Sequence, residues 1–409
     1  MPDARITASG TTGGAVRIPG SKSESNRLLV LQALFLGIEI HNLSDSDDTR
    51  TMQAALTKAS GLIDIGHAGT AMRFLTAYFA ATPGDEVILT GSQRMRERPI
   101  GILVDALRGL GADIRYLDRE GFPPLQIKRN GMSGNEISID AGISSQYITA
   151  LMLIAPALPS GLQIRLTGAV ASAPYLEMTL ALLQQVGVDC RRSGDIIEVK
   201  PAAGLKAGVT VESDWSSASY FYSIAALSPI GTKITLSTFL RDSIQGDRAV
   251  AEIFSKFGVE THFADGDIEI TKNGDGPASF TFDFSGNPDL AQTLAVTCAG
   301  LSIPFAFTGL STLRIKETDR ILALATELER LGGKATIVGD DLHFEPAALI
   351  PGVPVKTYGD HRMALAFSAL AARMPIVIEE FEVVGKSFLK YASALEKIGV
   401  EVLFCPSAT

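Results

Sequence analysis

The most regular pattern in the chain is an amphipathic run that ends in Leu-Gly or a close equivalent and is followed by a short alternating segment. It occurs at residues 102–117, 179–192, 250–263, 324–338 and 391–404. In each run apolar residues recur at i, i+3, i+4 and i+7, which places them on one face of a helix. The glycine that follows (Gly111, Gly187, Gly258, Gly332 or Gly399) suits the left-handed conformation that closes a helix. The next residues alternate and are β-branched, so they predict a strand. These glycines lie roughly 70 residues apart, enough for a small βαβ-type unit. Residues 51–65 read as a weaker sixth copy, and six units over two domains predict three in each.

Composition agrees with two packed domains. The chain has 409 residues, beyond the size at which one core stops growing, with 46% apolar and 20% charged residues. Its net charge of −9 argues against a nucleic-acid partner, which needs a basic surface. Any anionic ligand must therefore be held by a few aimed cations. Cys190, Cys298 and Cys405 form no C-x-x-C pair and predict neither a disulfide nor a zinc framework. Residues 1–14 lack the apolar core of a secretory signal, and the apolar stretches 28–40 and 151–158 are too short to span a bilayer. A cytoplasmic protein without a membrane partner is expected.

Polar and cationic residues recur where helices should begin. PGSKSESNR (19–27) precedes the run LLVLQALFLG, so its Ser and Asn residues read as N-caps beside two cations, Lys22 and Arg27. It lacks the spacing of a nucleotide-binding P-loop, and a capped surface helix is its plain alternative. GHAGTAMR (66–73) opens another helix; Gly69 suits either close approach of a ligand or tight helix packing. Arg94, Arg96 and Arg98 form a basic loop stiffened by Pro99, suited to phosphate or carboxylate unless it is only a solvated charge run. Ser144, Ser145 and Gln146 precede YITALMLIAPAL, and Asp289 precedes LAQTLAVTCAG, where cap duty alone accounts for it. RIKETDR (314–320) packs five charges into seven positions, with Glu317 able to exchange protons if partly buried. DHRMA (360–364) opens a further helix, with His361 read as structural, and Lys386 follows the strand-like IVIEEFEVV. If these starts converge, only anions suit the result.

Taken together, PGSKSESNR, GHAGTAMR, RMRERPIG, SSQYITAL, RIKETDR and GDHRMA resemble the 5-enolpyruvylshikimate-3-phosphate synthase family. The likeness runs in order from Lys22 to Lys386 and includes SDWSSASYF (213–221) and SIQGD (243–247). The resemblance implies an α/β fold of two similar domains, each of three βαβαββ repeats in an inside-out α/β barrel, with the active site in the interdomain cleft. It implies a discontinuous domain of residues 1–18 plus 213–409 and a second of residues 19–212. It also implies transfer of the enolpyruvyl group of phosphoenolpyruvate to the 5-hydroxyl of shikimate 3-phosphate, with release of phosphate and without a metal or other cofactor. A monomer is expected.

Carried over by motif, Lys22, Ser23, Arg27, Ser144, Ser145, Gln146, Ser172, Tyr175, Asp289, Thr312 and Lys316 would contact shikimate 3-phosphate. Lys22, Gly69, Arg98, Gln146, Arg320, Arg362 and Lys386 would hold phosphoenolpyruvate. Asp289 resembles the carboxylate that accepts the hydroxyl proton, and Glu317 the group that protonates the methylene carbon and later takes a proton back; Lys22 would lie between both substrates. The chain departs from the family pattern at His67, Thr312 and Phe74. Two rivals are a UDP-N-acetylglucosamine enolpyruvyl transferase and a non-catalytic anion-binding homologue. The first usually carries a cysteine in the loop that here reads SQRMRERP, and the second needs neither Asp289 nor Glu317.

Overall fold

All five repeat glycines take positive φ, from +71° at Gly258 to +104° at Gly332, and each separates a helix from the strand predicted after it. The computed structural model describes residues 2–8, 10 and 12–405. The chain divides into two compact units, one holding residues up to Pro19 together with those from Glu212 onward, the other Gly20–Val211.

The repeat is plainest in residues 61–128. Gly61–Asp64 runs parallel to Val87–Thr90, with the Gly69–Ala81 helix between them in the chain. A second helix, Gly101–Gly109, leads into an antiparallel hairpin of Asp113–Tyr116 and Leu125–Lys128, whose second strand pairs back onto Val87–Thr90. The same order builds the sheets that contain Leu162–Thr167, Lys233–Ser237 and Phe305–Thr308.

Two copies differ. After the Asp47–Leu56 helix, Gly61–Asp64 opens the next sheet instead of starting a hairpin, so the sixth copy is truncated. Among the described residues its Gly37–His41 strand pairs only with Lys206–Thr210. In the last copy Asp3–Ala8 supplies a hairpin strand from the far end of the chain, lying between Ile376–Ile378 and Val400–Cys405.

The first helix of each repeat is the buried one. Lys22–Leu34, Gly69–Ala81 and Ser145–Ile154 pack together in the 20–211 unit. Trp215–Leu227, Ala291–Gly300 and His361–Ser368 do so in the other. Their starts bear the polar motifs, so the repeat gathers those motifs within each unit. Among the described residues no helix is long and apolar enough to cross a membrane.

Two expectations need correction. The helix bearing LLVLQALFLG begins at Lys22 with Ser21 as its cap, so Ser23 to Arg27 lie inside its first turns rather than before it. Arg27 fits there because Thr179 and the Tyr175 carbonyl accept from its guanidinium. IVIEEFEVV is a strand only over Ile376–Ile378; Glu380 turns left-handed at φ +50°, and Lys386 ends a 3-10 helix, Phe381–Lys386.

Candidate active site

In the 20–211 unit the polar helix starts hold cations in fixed positions. Lys22 pairs with Asp48 at 3.2 Å, a partner on the Asp47–Leu56 helix that local sequence gave no reason to choose. Arg27 is buried: Nε donates to Thr179 Oγ1 at 2.8 Å, NH1 to the Ser23 carbonyl at 2.7 Å, and NH2 to the Tyr175 carbonyl at 3.3 Å. Burial lowers its pKa to about 10. Its guanidinium also lies 5.7 Å from the centre of the Phe74 ring, a cation–π contact.

The Gly69–Ala81 helix begins without a side-chain cap. A Cβ on Gly69 would stand 2.5 Å from Arg98 NH1 and 2.9 Å from NH2. Of the two readings of this glycine, close packing therefore has an observed partner, and it is a cation. Arg98 is buried, and its Nε has no hydrogen-bond partner. The loop that carries it is held by Arg73, which donates to the Gly69 and Pro99 carbonyls at 3.2 and 3.1 Å, and by Tyr147, whose hydroxyl donates to the Pro99 carbonyl at 2.6 Å. The arginines of this loop thus part ways. Arg94 pairs at the surface with Glu97 and Arg96 donates to the Gly91 carbonyl, while Arg98 turns inward. His67 Nδ1 lies 3.0 Å from Ser92 Oγ, the cap of the short Gln93–Arg96 helix.

Ser144 caps the Ser145 helix, and Gln146 Nε2 donates to Thr70 Oγ1 at 3.4 Å, linking that helix to the start of the Gly69 helix. Ser172 precedes the Ala173–Gln185 helix at φ +56°. Left-handed backbone is costly for any residue but glycine and clusters at functional sites. Tyr175 follows in the first turn.

In the other unit the charges form a chain of contacts. Lys386 Nζ donates to Glu317 Oε1 at 3.0 Å, and Arg320 NH2 donates to Glu317 Oε2 at 2.9 Å. Arg320 NH1 reaches Asp289 Oδ1 at 3.1 Å, and Arg362 NH2 reaches Asp289 Oδ2 at 2.7 Å. Behind them Asp360, fully buried, receives Arg320 Nε at 2.7 Å and caps the His361 helix through the Arg362 N–H at 2.9 Å. Asp289 is therefore not the simple cap that its place in the sequence suggested: its oxygens face two arginines. Arg362 NH1 also donates to the Tyr220 hydroxyl at 3.2 Å. Burial works against the charge on Arg320, but Asp360, Glu317 and Asp289 outweigh it and hold its pKa above the ordinary arginine value. Thr312 and Lys316 sit on and just after the 3-10 turn Ser311–Ile315, beside Glu317 in the chain. His361 is buried, with Nδ1 3.6 Å from Asp360.

Three partners escaped sequence reasoning: Asp48, Tyr220 and Asp247. Asp247 lies in the SIQGD segment and accepts from the Ser216 hydroxyl and, at 3.4 Å, from Asn287 Nδ2. Burial first, then the charge of Asp289, pushes its carboxyl up to about 6. The SIQGD segment marked the residue, but nothing local foretold that it would feel Asp289.

One family model, described as EPSP synthase (3-phosphoshikimate 1-carboxyvinyltransferase), matches residues 6–61 and 53–395. A 3-phosphoshikimate 1-carboxyvinyltransferase of Bacteroides fragilis (strain YCH46) is 47% identical over 403 residues, covering 96% of this chain and 97% of its own. One from Sulfurovum sp. (strain NBC37-1) is 38% identical over 416 residues, covering 94% and 96%. In fold the chain is similar to an EPSP synthase from Acinetobacter baumannii, with TM-score 0.76 and 22% identity over 98% of this chain and all of that one. The enolpyruvyl transferase NikO of Streptomyces tendae is similar in fold alone, with TM-score 0.74 and 14% identity over 99% of each chain.

Proposed function

Since the chain belongs to the EPSP synthase family, we propose how its own residues carry that family's reaction. The reaction transfers the enolpyruvyl group of phosphoenolpyruvate to the 5-hydroxyl of shikimate 3-phosphate and releases phosphate. The observation that carries the assignment is the contact chain Lys386–Glu317–Arg320–Asp289–Arg362, in which two carboxylates are each held by two cations and share Arg320.

Without substrate, those carboxylates balance the cations. Phosphoenolpyruvate brings its own phosphate and carboxylate to Arg320, Arg362 and Lys386, with Lys22, Gly69, Arg98 and Gln146 as further ligands. Once the cations face the substrate's anions, Glu317 and Asp289 gain proton affinity. Glu317 then protonates the methylene carbon, and the adjacent carbon becomes cationic. Asp289 takes the proton of the 5-hydroxyl as that oxygen attacks, giving a tetrahedral intermediate. Return of a methyl proton to Glu317 re-forms the double bond as phosphate leaves. Two carboxylates with different neighbours divide the acid and base work. Arginine and lysine charges fixed in advance stabilise the developing anions without reorganising.

Shikimate 3-phosphate takes Ser23, Arg27, Ser144, Ser145, Gln146, Ser172 and Tyr175, with Thr312 and Lys316 nearer the hydroxyl. Arg27 directs three of its five N–H groups to protein acceptors, which fixes the guanidinium and leaves the others for the substrate. A cytoplasmic monomer completes the reading. The nucleotide-sugar alternative is not favoured, because the SQRMRERP loop has no cysteine; a non-catalytic homologue would not need both Asp289 and Glu317.

The test is release of phosphate from phosphoenolpyruvate, measured with shikimate 3-phosphate and separately with UDP-N-acetylglucosamine. Turnover with the first alone is expected. Turnover with the nucleotide sugar, or with neither, overturns the proposal.

A further inference from the structure

Glu327 has no exposed surface and lies seven residues after Arg320 on the Arg320–Arg330 helix, so the two share a face about 10 Å apart along its axis. Its carboxylate meets the turn that leads into the His361 helix. Oε1 accepts the Tyr358 hydroxyl at 2.6 Å, and Oε2 accepts the Lys356 backbone N–H at 3.2 Å. Arg330 donates to the same Oε2 and balances the charge.

The turn itself is unusual. Tyr358 has φ +54° and Gly359 φ +65°, two left-handed residues in succession. A bulky side chain keeps that conformation only where its surroundings hold it. The next residue is Asp360, which binds Arg320 and caps the helix of Arg362. Two ties thus join one helix to one turn: Arg320 to Asp360, and Glu327 to Lys356 and Tyr358. The first belongs to the charge cluster. The second reaches none of its members directly, and an apolar side chain would fill the Glu327 position without burying a charge.

We infer that Glu327 and Tyr358 are positioning residues: they fix the left-handed turn so that Asp360 and Arg362 present the geometry that receives phosphoenolpyruvate. This rests on the reading of Arg320 and Arg362 as ligands of that substrate.

Tyr358→Phe removes one hydroxyl from a ring that is 39% exposed, so the fold should survive it. Its KM for phosphoenolpyruvate should rise about 3- to 10-fold, with kcat within about twofold of the parent and KM for shikimate 3-phosphate unchanged. Glu327→Gln can keep an acceptor for Tyr358 only by turning its NH2 toward the Lys356 N–H and Arg330, so it should give a rise at least as large. Arg362→Lys, run in parallel, tests the underlying reading by its own rise in that KM. A rise in Arg362→Lys but none in Tyr358→Phe, even with a lowered melting temperature, overturns the positioning role alone. No rise in Arg362→Lys overturns the reading of the site, and the positioning role with it.

Discussion

Arg98 NH1 stands 2.5 Å from the point where a Cβ on Gly69 would lie, closer than any real Cβ contact. The glycine is therefore the seat of the arginine. Gly69→Ala should push the guanidinium off the helix start and raise KM for phosphoenolpyruvate at least about tenfold, or ~1.4 kcal/mol of binding. KM for shikimate 3-phosphate should move little. Steady-state kinetics with each substrate varied in turn checks this, and equal rises in both constants would count against it.

Glu317→Gln keeps the shape between Lys386 and Arg320 but cannot give a proton to the methylene carbon or take one back. Turnover should fall by about 10² to 10⁴, the usual contribution of a general acid–base group. Calorimetric binding of both substrates should be largely preserved. Unchanged turnover would remove Glu317 from the mechanism.

Asp289→Asn leaves Arg320 and Arg362 facing a neutral amide, so it separates base from anchor. Turnover should drop about 10²-fold or more. KM for phosphoenolpyruvate should stay level or fall, because a competing carboxylate has gone. A marked rise in that KM with turnover intact would mean that Asp289 orients the arginines and takes no proton.

Asp247 gives a prediction about stability. Its folded pKa is pushed up to about 6 by burial and then by Asp289, against about 4 for an unfolded aspartate. Between those values the folded chain holds a proton that the unfolded chain has released. Its contribution is therefore complete below pH ~4 and is lost as pH rises through ~6. Asp247→Asn should flatten that slope and make the variant more stable relative to its parent above pH ~6, by ~1–3 kcal/mol. Urea unfolding across that range measures it, and an unchanged slope would refute it.

The repeat was legible because each copy writes its own helix face and closing glycine into consecutive residues. The truncated copy was less so, since the strand Gly61–Asp64 pairs as the first strand of another sheet while reading locally like any strand after a helix. The cations and carboxylates of the motifs were legible as residue types, and their pairing was not. Asp289 looked like a cap because its arginines stand at positions 320 and 362. The early start of the Lys22 helix was hidden because two of the acceptors that hold Arg27, on Thr179 and Tyr175, lie far along the chain. Local patterns report what a segment buries, not which distant charge it buries against.

The strand Asp3–Ala8 sits between Ile376–Ile378 and Val400–Cys405, pairing Asp3 with Cys405. On the ribosome this segment emerges long before either of the strands that flank it. The 20–211 unit is continuous and can complete its hydrogen bonding while synthesis proceeds. The other unit cannot close this sheet until Val400–Cys405 has been made. A stall between residue 211 and Ile376 therefore yields one finished unit and an unpaired Asp3–Ala8 strand, the kind of exposed edge that chaperones bind and aggregates recruit.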